Sequence, residues 1–147
     1  MSKKKRVFLG GWGTCNGSDW RQRLIPMLTI DFFDPVVEDW NEECKQRELY
    51  ERSICDYCLY VITPRMIGTY SIAEAVDDSN KRPEKTIFCV LQEDQTPDKM
   101  LFFTAIYKNF TKAQINSLNE VGKLIETNGG KYFTSLREVA EYLNGGV

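Results

Sequence analysis

The chain has 147 residues, 42% of them hydrophobic and 27% charged, the profile of one ordinary soluble domain with enough apolar material for a buried core. A formal net charge of −2 disfavours nucleic acid polymers and anionic membranes as partners, and no apolar run approaches the ~20 residues needed to span a bilayer, so small ligands come first. Histidine is absent, which excludes Ser-His-Asp and Cys-His machinery and leaves acid and base work to Asp and Glu.

In chain order, the basic run Lys3-Lys4-Lys5-Arg6 reads either as a localisation tag or anion patch, or as the solvated start of a strand. Arg6 to Leu9 is an apolar first strand that ends at Gly10-Gly11-Trp12-Gly13, a glycine-rich loop. Ser18 or Asp19 caps a short helix through about Leu28, with Leu24 and Leu28 on its inner face. Ile30 to Phe33 forms a second strand closed by Asp34-Pro35. From Asn41 to Cys55 the residues favour helix but carry many charges, with Leu49 and Ile54 as the chief apolar anchors, so this helix is expected to be largely exposed.

Tyr57 to Ile62 is nearly continuous β-forming apolar sequence, as in a central strand covered on both faces. Gly68-Thr69-Tyr70 leads into a helix from Ser71, and Lys85 to Leu91 is another buried strand. Leu101 to Tyr107 is expected to supply a fifth strand. Thr111 caps a helix with Leu118, Val121 and Ile125 on one stripe, ended by Asn128-Gly129-Gly130, and Ser135 with Glu138 opens a last helix. The alternation of strand and helix predicts an α/β three-layer sandwich, flavodoxin-like or Rossmann-like, with a central parallel sheet of about five strands and one domain spanning 1–147.

Five cysteines and no basic-then-apolar leader point to a reducing, cytoplasmic setting without disulfides. Cys55-x-x-Cys58 has the spacing of a redox or metal motif, but no second pair follows it, and Cys58 and Cys89 read equally as small apolar core residues.

Ligands of open parallel sheets bind beyond the carboxyl ends of the strands, so the informative segments are Gly10 to Gly13, Asp34 to Trp40, and Gly68 to Ser71. Gly10, Gly11 and Trp12 lie where glycines admit a sugar or phosphate close to the backbone, or simply make a tight turn; the loop matches neither GxGxxG nor a Walker sequence. Asp39 and Trp40 offer an acceptor for an exocyclic amine and a surface for stacking a base, although Trp40 serves packing as readily. Thr69 and Ser71 place hydroxyls at a helix start. Ser71-x-x-Glu74 by itself is a capping box, and Glu48 by itself is an i,i+4 partner of Arg52.

V-F-L-G-G-W near the start, E-L-Y-E-R-S-I-C-D before the central strand and G-T-Y-S-I-A-E-A after it occur in that order. Together they resemble the nucleoside 2-deoxyribosyltransferase-like superfamily, which includes nucleoside monophosphate N-glycoside hydrolases, over roughly residues 6 to 91. The resemblance implies a retaining displacement at a sugar anomeric carbon, with Glu74 as the nucleophile that forms a glycosyl-enzyme intermediate and Glu48 as the acid assisting the leaving base. It also implies a seat for a 5′-hydroxyl or 5′-phosphate at Gly68, Thr69 and Ser71, recognition of the base near Asp39 and Trp40, and no metal or organic cofactor.

Glu48 stands where the family usually has Asp. Gly68 stands where many of its transferases carry Asp, which leaves room for a nucleotide or modified substrate. Family members commonly assemble as dimers or higher oligomers and complete the pocket from a neighbour, so a homo-oligomer is among the expected partners. Two other readings stay open: a nucleotide-binding protein without chemistry, and a relative of the TIR-type domains that cleaves or senses NAD-derived nucleotides.

Overall fold

Residues 3–11, 15 and 17–145 are described by the computed structural model. The elements are β1 (Arg6–Gly10), α1 (Trp20–Leu24) continued by a 3₁₀ turn (Ile25–Met27), β2 (Asp31–Phe33), α2 (Glu42–Ile54), β3 (Tyr57–Ile62) and α3 (Tyr70–Lys81). A second 3₁₀ turn (Pro83–Lys85) precedes β4 (Thr86–Val90), β5 (Glu93–Leu101), β6 (Thr104–Asn109), α4 (Lys112–Thr127), β7 (Lys131–Phe133) and α5 (Leu136–Leu143). Five strands form one parallel sheet in the order β2-β1-β3-β4-β7, the flavodoxin-like arrangement.

The apolar strands β1, β3 and β4 are buried on both faces because successive side chains point to opposite sides. Val7, Leu9, Leu59, Val61, Ile87 and Cys89 share one core with Trp20 and Leu24 of α1 and Leu136, Val139 and Leu143 of α5. Phe8, Tyr60, Ile62, Phe88 and Val90 share the other with Ala75 of α3 and Leu118 and Ile125 of α4. The registers Phe8↔Cys58 and Leu59↔Ile87 keep these rows aligned from strand to strand. Each such aliphatic side chain contributes about 1.5 to 3 kcal/mol by leaving water.

Helix ends follow local chemistry where a cap is present. Asn41 accepts the Cys44 amide at 3.0 Å to open α2, and Thr111 and Gln114 form a reciprocal capping box at α4. Ser135 accepts the Glu138 amide at 3.2 Å to open α5. Lys3, Lys4 and Lys5 are exposed, and Lys4 pairs with Asp31 at 3.5 Å, which is how a solvated strand start behaves. Among the described residues no helix is long and apolar enough to cross a membrane.

Four expectations are corrected. Residues 101–107 do not join the main sheet: β5 and β6 pair antiparallel as a separate hairpin, and the fifth strand is the three-residue β7 on the outer edge of β4. The hairpin turns at Phe102 and Phe103, with φ of 48° and 67° and exposures of 89% and 99%, so its apolar residues stand in solvent rather than in the core. Helix α1 stops at Leu24 and tightens into a 3₁₀ turn at Pro26, which has no amide to continue the α-helical ladder; Asp19 precedes it without a side-chain cap.

The apolar anchors of α2 are also misread. Leu49 and Ile54 are 47% and 48% exposed, whereas Glu51 and Arg52 are 1% and 8% exposed. The helix is otherwise largely exposed, as expected, and its buried Glu51 pairs with Arg6 of β1 at 3.3 Å and with Arg47 of its own helix at 3.1 Å. Finally, Ser71-x-x-Glu74 is not a capping box: α3 begins at Tyr70 with Thr69 at the cap position, so Ser71 and Glu74 are both inside the helix.

Candidate active site

The strand order places the reversal between β1 and β3, and the crevice beyond their carboxyl ends is where open sheets of this kind bind ligands. Helices α2 and α3 follow β2 and β3 in the chain and carry the charged residues.

Glu74 projects from α3 and is largely buried, its Oε2 3.0 Å from Arg52 Nη1 of α2. Burial outweighs that guanidinium and, with the charges of Glu48 and Asp78, pushes Glu74 up to about 6. Glu48 is half-buried on α2. Burial raises its pKa too, against a hydrogen bond from Trp40 and the nearby cations of Arg52 and Arg21. Arg52 therefore does not close on Glu48 as an ordinary i,i+4 pair; its ion pairs run to α3.

Behind Glu74 lies a buried charge cluster. Asp78, one helical turn further along α3 and fully buried, accepts Arg52 Nη2 at 2.9 Å, the Tyr60 hydroxyl, and Arg82. These partners hold its pKa below the usual carboxylate value although burial opposes them. On the β1 side, Arg21 donates from Nε and Nη2 to the Leu9 carbonyl at 3.2 and 3.0 Å, lies 3.6 Å from Asp34, and stacks on the Trp20 ring at 4.4 Å. Its burial lowers the guanidinium to about 10.

The remaining sequence-predicted residues fall into two groups. A Cβ on Gly10 would meet the Tyr60 ring at 2.8 Å, and Gly11 adopts φ 119° with Val61 O 2.9 Å from its Cβ position, so both glycines answer to packing and backbone geometry. Trp12, with Gly13, lies outside the described residues. Trp40 is 47% exposed beside Glu48, and Asp39 is exposed next to it. Gly68 and Thr69 are exposed before α3, with open space around the Gly68 Cβ position, while Ser71 is buried.

Cys55 and Cys58 are buried thiols bonded to Glu51 and to the Arg52 carbonyl, and burial pushes them up to about 12 and 11. Among the described residues no three His, Cys, Asp or Glu side chains converge as metal ligands do. A separate open cavity of about 400 Å³ lies between Leu91, Gln95 and Ser135, beyond the ends of β4 and β7.

Sequence reading did not single out Arg21, Tyr60, Asp78 or Arg82, and treated Arg52 only as a surface partner. A signal was present for Asp78: it sits four residues after Glu74, hence on the same helical face. Tyr60 carried none, because its hydroxyl is hidden in an apolar strand.

What these groups can do chemically is limited and specific. They supply two partly buried carboxylates on neighbouring helices, Glu74 on α3 and Glu48 on α2, the first of them paired to the largely buried guanidinium of Arg52. No protein-family model and no curated protein matches the chain.

Proposed function

We propose that this protein cleaves or transfers the N-glycosidic bond of a nucleoside or nucleoside monophosphate through a glycosyl-enzyme intermediate on Glu74. The observation that carries the reading is geometric: Glu74 of α3 is mostly buried with its Oε2 3.0 Å from Arg52 of α2, and Glu48 stands half-buried one turn before Arg52 on that same helix. A retaining glycosyl transfer asks for such a pair, one carboxylate ionised and one acid protonated.

In the first half-reaction a Glu74 oxygen bonds to the anomeric carbon while the carbon–nitrogen bond breaks and its electron pair leaves with the base, which takes a proton from Glu48. In the second, water or another base attacks the same carbon, gives its proton to Glu48, and Glu74 departs as a carboxylate. Neither step calls for a metal or organic cofactor. Trp40, half exposed beside Glu48, supplies a surface on which the base stacks.

The test is release of free base from a panel of nucleosides and nucleoside monophosphates, with and without an acceptor base. Turnover is expected in the wild type and lost in Glu74→Gln, and undiminished turnover by that variant overturns the nucleophile. The Arg52–Glu74 ion pair favours one second reading, a nucleotide-binding protein whose acid is tied up. Thermal stabilisation by a nucleotide recovered intact decides for it.

A further inference from the structure

The guanidinium of Arg52 is divided between two carboxylates that stand one turn apart on α3. Nη1 meets Glu74 and Nη2 meets Asp78, at 3.0 and 2.9 Å, with Arg52 itself only 8% exposed. We propose that Arg52 is the positioning residue of Glu74, held to that task by the buried cluster around Asp78. The proposal rests on the reading of Glu74 as the glycosyl nucleophile.

Three features carry it. A planar fork of donors engages two carboxylates at once, which the single ammonium of a lysine does not. Asp78 in turn has more donors than one carboxylate neutralises: Arg52, Arg82 and the Tyr60 hydroxyl all converge on it. The surplus positive charge is left facing Glu74. Third, buried ion pairs of this kind add little net stability over apolar packing, so a cluster of two arginines and a tyrosine around Asp78 is poorly explained by stability alone.

The arrangement has a consequence in each half-reaction. The ion pair engages Oε2, which leaves Oε1 as the attacking oxygen and removes rotamer freedom from the side chain. When Glu74 becomes an ester its charge vanishes and Arg52 is held by Asp78 alone. When the ester breaks, Arg52 again receives the departing carboxylate. The groups whose charge acts on Glu74 are Arg52 and Glu48 from α2 and Asp78 from its own helix, and Arg52 is the one among them that favours the ionised form.

The test begins with a substrate whose turnover is lost in Glu74→Gln, followed by pH profiles of kcat/KM for Arg52→Gln and Arg52→Lys. In Arg52→Gln the acid limb is expected to move to higher pH by about 1 to 3, the span an adjacent opposite charge commands. Its kcat should fall by about tenfold or more, with KM changed by less than about threefold. Arg52→Lys should return the acid limb toward the wild-type position while restoring kcat only in part, since charge is regained without the fork. An acid limb that stays at the wild-type pH in Arg52→Gln overturns the proposal and leaves Arg52 structural.

If Arg52→Gln does not fold, Arg52→Lys decides, and a wild-type kcat in that variant overturns the proposal. Should Glu74→Gln itself stay active, the nucleophile reading fails. A carbon NMR titration of the Glu74 carboxyl then tests the ion pair on its own: a midpoint unchanged in Arg52→Gln, or where that variant does not fold a carboxyl chemical shift unchanged in Arg52→Lys, overturns Arg52's hold.

Discussion

Tyr60 reaches from the middle of an otherwise apolar strand to donate its hydroxyl to Asp78, a carboxylate of α3 that has no contact with solvent. The same carboxylate receives both Arg52 of α2 and Arg82 at the end of α3, so three donors depend on one buried charge. Asp78→Asn is expected to destabilise the fold by about 3 to 5 kcal/mol, because the buried Arg52 and the partly buried Arg82 lose their shared counter-charge. Urea unfolding followed by circular dichroism measures it, and a loss under about 1 kcal/mol contradicts the account.

Glu74 yields a pH prediction with a definite sign. Its pKa of about 6 in the folded protein lies above the ordinary 4.5, so the folded state binds this proton more tightly than the unfolded chain. Its contribution to stability is complete below pH 4.5 and is lost as pH rises through 6. Glu74→Gln abolishes that loss and keeps a carbonyl for Arg52. The variant is expected to be more stable than wild type at pH 7.5, by up to about 2 kcal/mol, with the gap closing toward pH 4.5. Thermal midpoints across that range check the direction.

The glycines near the site separate packing from ligand access. Gly10→Ala drives a methyl group into the Tyr60 ring and the Leu59 carbonyl and should cost about 1 to 3 kcal/mol. Gly68→Ala meets open space and should leave stability within about 0.5 kcal/mol. Reduced turnover in Gly68→Ala at unchanged stability would then mark that loop as a place where substrate lies.

The hairpin of β5 and β6 makes its two-residue turn with phenylalanines at positive φ, where Asn-Gly is the low-strain choice. Replacing Phe102 and Phe103 by Asn and Gly is expected to stabilise the protein by about 1 to 2 kcal/mol for each residue relieved of that conformation. It should also lower light scattering at high concentration by removing two nearly fully exposed rings. An unchanged melting temperature in the double variant contradicts the strain.

Thiol chemistry gives a compact check on the cysteine assignments. Cys15, Cys55, Cys58 and Cys89 are buried, and burial raises the pKa of each; Cys44 is half-exposed. One thiol of the five is expected to react with a disulfide reagent at pH 8 in the folded protein, and all five after unfolding. Rapid reaction at Cys55 or Cys58 would mark the CxxC spacing as chemically available.

Much of the sheet was legible because a central parallel strand is apolar on both faces, and residues 6–9, 57–62 and 85–91 are written that way. The hairpin escaped this logic. Leu101 to Tyr107 has the composition of a core strand, yet its partner is the neighbouring polar segment Glu93–Leu101, and the turn between them pairs it locally. The three residues of β7 are too few for any periodicity to register. Helix α2 is largely exposed as its charges suggest, but the residues it does bury are Glu51 and Arg52 instead of Leu49 and Ile54, because buried charge is legible only once its partners are in place.

Sequence alone determined the α/β class, the strand and helix order through β4, and the caps of α4 and α5. Those follow from patterns within a turn or a strand, where neighbours in sequence are neighbours in space. Only the tertiary structure decided that Glu74 pairs with Arg52 instead of capping its helix, and that Asp78 and Tyr60 stand behind the pair. Such facts depend on where α2, β3 and α3 meet, and a buried charge is tolerable only through partners that chain folding brings from elsewhere.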